Sequence, residues 1–396
     1  MSTPRATGAV LRGAIAVTAG GVSRLAPAVA GTRFAARAPR GAVDVDLRDH
    51  ATLPGLINAH DHLQQNCVPP LPGGAVFPNS YAWIDAFQAH FEHADVKAAL
   101  AVPKEVRLRH GALKNLLAGT TCVAHHDPWH AALDAPDFPV ALLRGAGWSY
   151  ALGHGSYGPP VRESFDATPA DRPWVIHLAE GSDAVARAEL DALDQLGCLA
   201  ANSVLVHGVG LGEEHMARVI ERGAAVVWCP ASNRNLLGTT LDPRRLAAAG
   251  RLALGSDSRL SGARDLLDEL CGVRERDELP APSALSLVTE AAARILRLDG
   301  HGTLDAGKGA DFIVVADRAK SASAALEGVR RADLRAVVRG GKPCIADPDL
   351  GYWFAAVGVP TVAVTLDGRP KLVDARLAEP ALMALEPGFE LARRVH

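Results

Sequence analysis

The sequence predicts an α/β fold: a (β/α)8 barrel, irregular around its fourth strand, beside a composite β-sandwich built from both ends of the chain. Three observations lead there. Between about residues 170 and 272, short and fully apolar runs alternate with segments of helical periodicity, the pattern of a parallel sheet covered on both faces. Ionisable residues recur at the C-terminal ends of those runs, where barrels place their sites. The two flanks instead alternate apolar and polar residues in short segments bounded by turn residues.

The elements follow in chain order. Residues 8–17 and 43–47 alternate like strands. Leu56 to His60 is the first barrel-type strand, and residues 105–118 form a helix before the strand Thr120–Ala124. Val140–Leu143 is the next strand. Trp174–Leu178 follows, then a helix over 183–197 with Val185, Ala188, Ala192, Leu193 and Leu196 at helical spacing and Gly197 as its stop. Ser203–His207 precedes a helix over 213–222, with Glu213 and Glu214 in its first turn and Gly223 after it. Ala224–Cys229 and Leu252–Gly255 are strands, Pro243–Ala249 a short helix, and Ala263–Cys271 another. An eighth strand is expected between Trp148 and Arg172. That segment is short and rich in Gly and Pro, so the strand is stunted or the barrel irregular, with His154–Gly158 as a candidate loop. Asp311–Val315, Leu334–Val338 and Thr361–Thr365, with a turn at Asp367-Gly368, complete the β flank. The expected division is 1–52 plus 311–396 for the sandwich and 53–310 for the barrel.

Composition excludes several classes. The 396 residues carry a formal net charge of −3, 48% hydrophobic and 21% charged residues, as in a soluble globular protein. No Lys/Arg-rich run suggests a nucleic acid or an anionic membrane as partner. No apolar stretch reaches about 18 residues, and Arg5, Arg12 and Arg24 interrupt any signal-peptide core. Six scattered cysteines without a CxxC fit reduced thiols in a cytoplasm.

The chemistry gathers at strand ends. His60 and His62 lie two apart, so in a strand both imidazoles face one side and can reach one metal ion; two surface histidines would have the same spacing. His125, His126 and Asp127 end the second strand, His177 and Glu180 the fifth, His207 the sixth, and Asp257 the eighth, while Ser232-Asn233 follow the seventh. Burying so many ionisable groups costs free energy unless they pair or bind metal.

Five motifs run in order: Pro54-Gly55-Leu56-Ile57-Asn58-Ala59-His60-Asp61-His62, His177-Leu178-Ala179-Glu180, Leu205-Val206-His207-Gly208, Cys229-Pro230-Ala231-Ser232-Asn233 and Leu254-Gly255-Ser256-Asp257-Ser258. With them the chain resembles the amidohydrolase superfamily, in the single-metal cytosine/adenosine deaminase and chlorohydrolase-like branch. The resemblance implies His60, His62, His177 and Asp257 as metal ligands, Glu180 as proton shuttle, and His207 at the hydrolytic water or substrate. Three imidazoles and a carboxylate suit Zn²⁺, with Fe²⁺ as the alternative. Asp257 would take a proton from the metal-activated water, and Glu180 would protonate a ring nitrogen. No lysine lies between Lys114 and Lys308, so the carboxylated lysine that bridges two metals in other branches has no place, and one metal is expected.

Weaker candidates for substrate contact are Gln65, His125, Trp148 and Asn233; Tyr81 and Trp83 are further candidates for stacking on a ring, and Arg259 and Ser261 for an anionic group. The expected activity is hydrolytic deamination of an amino-substituted nitrogen heterocycle. The alternatives are cyclic C–N ring opening of the imidazolonepropionase type, displacement of another ring leaving group, and a barrel that only binds. The expected partner is a small heterocyclic substrate, and the resemblance adds a homodimer or larger homo-oligomer.

Overall fold

The computed structural model describes residues 5–24, 27–72, 74–153, 157–317 and 325–392. Eight strands build the barrel: β1 (Leu56–Asp61), β2 (Thr120–His125), β3 (Ala141–Leu142), β4 (Gly147–Trp148), β5 (Trp174–Leu178), β6 (Ser203–His207), β7 (Ala225–Trp228) and β8 (Leu252–Leu254). They pair in parallel as two arcs, β1–β2–β3 and β4 to β8. The arcs join where the Asp257 amide donates to the His60 carbonyl at 3.1 Å. Gly255 permits that approach, because a Cβ there would stand 2.8 Å from the Cβ of His60.

The fourth strand is displaced from its expected place. It occupies Gly147–Trp148 rather than the segment between Trp148 and Arg172, and it is only two residues long. Thr168 closes over it so tightly that any Cβ on Gly147 would overlap the Thr168 hydroxyl. The residues beyond it form the short helix Val161–Ala167. No ladder joins β3 to β4 among the described residues, so the barrel has a seam there. The candidate loop His154–Gly158 falls partly outside the described residues, at His154–Ser156.

Strand alternation sorts the apolar residues. Ile57, Ala59, Cys122, Ala124, Val175, Val204, Val206, Val227 and Ala253 form a cluster inside the barrel. Leu56, Val123, Ile176, Leu205, Val226 and Leu252 face outward into a larger core with Leu113, Leu116, Leu190, Leu193 and Met216 of the surrounding helices. Each such leucine contributes about 1.5–3 kcal/mol on full burial. The helices that matter for the site are α1 (Ser80–His90), α2 (Lys104–Leu117), α3 (Ala184–Gln195) and α4 (Pro230–Leu237).

The flanks form a nine-stranded and a four-stranded sheet. Phe312 and Val314 face a cluster shared with Leu11, Val29 and Phe34 of the small sheet, whereas Ile313 and Val315 face the barrel's outer core. The strand His50–Pro54 belongs to the large sheet and ends one residue before β1, so sheet and barrel are joined without a linker. The hairpin Thr361–Leu366 to Arg369–Asp374 turns at Asp367-Gly368, both with positive φ (47° and 79°) as such a two-residue turn requires. No helix of the described residues is long and apolar enough to cross a membrane.

Candidate metal centre and its cavity

His60 and His62 point to one side of β1, as residues two apart do, but alternation from the inward-facing Ile57 and Ala59 would have sent them outward. The β1–β2 register shifts between Asn58 and Asp61. Asn58 and Asp61 consequently share the outer face, where both bond to Asn115 of α2, and the two histidines turn inward. The Nε2 of His177, at the end of β5, lies 3.3 Å from the Nε2 of His60 and 3.3 Å from that of His62. Asp257 Oδ1 lies 3.9 Å from His60 Nε2 and 4.0 Å from His62 Nε2. Tetrahedral zinc with bonds of about 2.05 Å separates its ligand nitrogens by roughly 3.3 Å. Two imidazole lone pairs facing each other at that distance need a proton or a cation between them. The donor set therefore fits a divalent metal.

The outer partners of these four side chains fix their orientation. His62 Nδ1 bonds Asp127 Oδ2 at 2.7 Å, and the Tyr157 hydroxyl donates to Asp127 Oδ1 at 2.7 Å. His177 Nδ1 donates to the Tyr150 carbonyl at 2.8 Å. The hydroxyls of Ser232 and Ser261 donate to Asp257 Oδ2, each at 2.8 Å, which leaves Oδ1 to face the histidines.

Electrostatics select positive charge at this point. Burial opposes protonation of His62, yet Asp127 outweighs it and pulls the ring up to about 9. His60 and His177 are held well below the ordinary imidazole range, first by burial and then by one another's neighbouring rings, so both are neutral and offer lone pairs. Burial would raise Asp257, but His62, His207 and the two serine hydroxyls hold it below its usual value.

Three non-glycine residues at strand ends have left-handed backbones: Ala179 (φ 52°), His207 (φ 76°) and Asp257 (φ 53°). Such strain persists only where the surroundings enforce it, and it concentrates at sites. At His207 it has a clear consequence. Val204 and Val206 line the barrel interior, so alternation would send His207 outward; the left-handed turn brings it in. Its Nδ1 bonds Asn233 Oδ1 at 2.8 Å, and its Nε2 lies 3.4 Å from Glu180 Oε1. Glu180 is raised above the ordinary carboxyl range, chiefly by burial. The Glu189 carboxylate of α3 accepts from the Ala179 amide at 2.6 Å and so pins the chain between His177 and Glu180.

A cavity of about 380 Å³ opens over this cluster. His62, His177, Glu180, His207, Asp257 and Gln65 line it, facing a wall of Trp83, Phe87, Phe91, Leu236 and Leu260. Trp83, Phe87 and Phe91 are spaced by four, and their rings contact in sequence at 5.5 and 4.8 Å. That stripe was legible in the sequence, although only Trp83 stood out there. Among the described residues neither Lys nor Arg lines the cavity.

The other expected contacts lie elsewhere. His125 and Trp148 border a separate small chamber behind the cluster, because β2 and β4 end on that side of the barrel. Asn233 is buried behind His207 rather than in the cavity. Arg259 turns from the cavity to a bidentate pair with Glu386 at 2.8 Å, and the Tyr81 hydroxyl bonds Glu189. In the sequence Asp127 reads only as part of a polar strand end; its bond to His62 needs the fold, since 65 residues separate them.

The Amidohydrolase family profile matches residues 161–344. An aminodeoxyfutalosine deaminase of Deinococcus radiodurans is 51% identical over 71 residues, which is 18% of this chain and 17% of that protein. A 5-methylthioadenosine/S-adenosylhomocysteine deaminase of Moorella thermoacetica is 26% identical over 342 residues, covering 68% of this chain and 74% of that one. The zinc-complexed atrazine chlorohydrolase of Arthrobacter aurescens TC1 superposes with a TM-score of 0.69 at 18% identity, covering 88% of this chain and all of the other. Motifs, barrel and matches point the same way: residues 161–344 match the Amidohydrolase family, the chain is similar in sequence to deaminases, and it shares the fold of a zinc-complexed chlorohydrolase.

Proposed function

We propose that the protein hydrolytically deaminates an unphosphorylated amino-substituted nitrogen heterocycle, with one zinc ion held by His60, His62, His177 and Asp257. The observation that carries this is Glu180: a largely buried carboxyl, raised above the ordinary carboxyl range, at 3.4 Å from His207 and on the rim of the same cavity as the ligand cluster. Zinc bound there supplies Lewis acidity and draws the pKa of water toward neutrality.

The side chains supply the rest. Asp257, anchored through Oδ2 by two serine hydroxyls, turns Oδ1 toward the histidines, and beside the bond it accepts from the Ser258 amide at 2.6 Å that oxygen has a second lone pair for a proton from the attacking water. Glu180 in its acid form donates to the ring nitrogen beside the attacked carbon; the carboxylate so formed takes the proton of the new hydroxyl and passes it to the departing amine, and the proton held by Asp257 then restores the acid form of Glu180. His207, fixed by Asn233, presents Nε2 to the developing tetrahedral centre. The wall of Trp83, Phe87 and Phe91 suits the flat face of a heterocycle. The lack of Lys and Arg in that lining argues against a phosphate on the substrate. One metal is supported by β4, Gly147–Trp148, which offers no lysine as a bridge. Deaminase names among the relatives support the reaction class. Six unpaired thiols support a reducing compartment, the cytoplasm.

The test is a panel of amino-heterocycles, free and phosphorylated, assayed for ammonia with zinc-reconstituted protein. One ammonia per turnover on an unphosphorylated member, at one zinc per chain, is expected. Ring opening without ammonia would establish the imidazolonepropionase-type alternative instead.

A further inference from the structure

The chamber behind the metal cluster measures about 120 Å³ and follows the seam between β3 and β4. Its outer rim is Gly145 and Trp129, both exposed, and its inner wall includes His60 and His126, both buried. Asp127 lines both this chamber and the larger cavity, so a layer of site residues separates the two.

The three metal-facing imidazoles differ in one respect. His62 and His177 each bond an outer partner through Nδ1, whereas the buried Nδ1 of His60 has none among the described residues. A ligating histidine almost always donates its second N–H to a carboxylate, a carbonyl or water. Two further orphans border the same chamber, His125 Nε2 and His126 Nδ1. His126 donates through Nε2 to the Ser149 carbonyl at 3.0 Å, so its Nδ1 is an acceptor. The His60 and His126 rings lie 5.3 Å apart between centroids.

We infer that the chamber is a water site, in which water accepts from His60 Nδ1–H, donates to His126 Nδ1, and exchanges with solvent through the seam. One buried water needs about 10–15 Å³ of such volume and two to four polar partners, so the chamber has room for several. Water there completes the orientation of His60, and the barrel's missing ladder keeps it accessible from outside the substrate cavity. The inference rests on the assignment of His60 as a metal ligand and is independent of the reaction catalysed.

The experiment is a high-resolution crystal structure of the zinc-loaded protein, with zinc affinity measured by chelator competition for the wild type, His126→Phe and Ala146→Leu. Ala146 borders the chamber at a partly exposed position, so its variant tests the idea even where His126→Phe fails to fold. Ordered water within hydrogen-bond distance of His60 Nδ1, and a tenfold to hundredfold loss of zinc affinity in the variants, are expected. A dry chamber, or affinities within about twofold of the wild type, would overturn the inference while leaving deamination intact. A wild type that binds no zinc would overturn the ligand assignment beneath it.

Discussion

The two faces of β1 hold two buried polar clusters that differ in kind. On the outer face Asp61 accepts from Lys114 at 3.0 Å, Asn115 at 2.7 Å and Asn66 at 2.9 Å, and both Asp61 and Lys114 are fully buried. Donors there meet acceptors and charges cancel. On the inner face three Nε2 atoms converge with Asp257, and among the described residues no Lys or Arg enters from outside to balance them. A cluster satisfied by its own members holds structure, while one that lacks a positive centre is built to receive it. Adjacent residues of one tripeptide, His60-Asp61-His62, serve both purposes because successive side chains point to opposite faces, and the register shift decides which face each takes.

The difference can be broken from either face. The largest effect is expected from His177→Ala, which removes the nitrogen closest to both other imidazoles: no detectable turnover and loss of bound zinc by elemental analysis, with the folded barrel retained by circular dichroism. Glu180→Gln should lower turnover by about 10²–10⁴-fold while zinc content stays unchanged; retained activity would remove Glu180 from the proton path. On the outer face, Lys114→Met strands a buried carboxylate and should cost about 3–5 kcal/mol of stability, read by denaturant unfolding of metal-free protein. An equal loss of zinc affinity with no loss of stability would contradict the division of roles.

Asp127→Asn sharpens the contrast, because it leaves all four proposed ligands in place and weakens only the orientation of His62; zinc affinity should fall about 10–100-fold. The smallest effect concerns Glu386. Burial opposes its ionisation, but bonds from His110, Arg259 and Arg331 hold it well below the ordinary glutamate value. Its contribution to stability is therefore present above the unfolded value near 4.5 and is lost as pH falls below it. Glu386→Gln should flatten the acid limb of the stability profile.

Much of the barrel was legible in the sequence because its signals are local. Apolar runs, helical periodicity and Gly stops do not depend on distant residues, and seven strands fall where these signals put them. The fourth strand escaped because two residues carry no periodicity, and its place is set by contact with Thr168 and β5 rather than by propensity. The strand-end residues His60, His62, His177, Glu180, His207 and Asp257 were likewise visible as a set, since polar groups ending apolar strands stand out against their neighbours.

Contacts across the barrel were not legible. The pairing of His62 with Asp127, the retreat of Arg259 to Glu386, and the placing of His125 and Trp148 on a separate chamber depend on side chains far apart in the chain. The sequence by itself determined the barrel, its flanking sheets and which strands end in imidazole and carboxyl groups, because alternation and residue chemistry act over a few positions. Tertiary structure decided which nitrogen faces which, where the barrel opens, and which strand end looks into the cavity. Those outcomes turn on register shifts, left-handed residues and close approaches of a few tenths of an ångström, and these are fixed only when the strands meet.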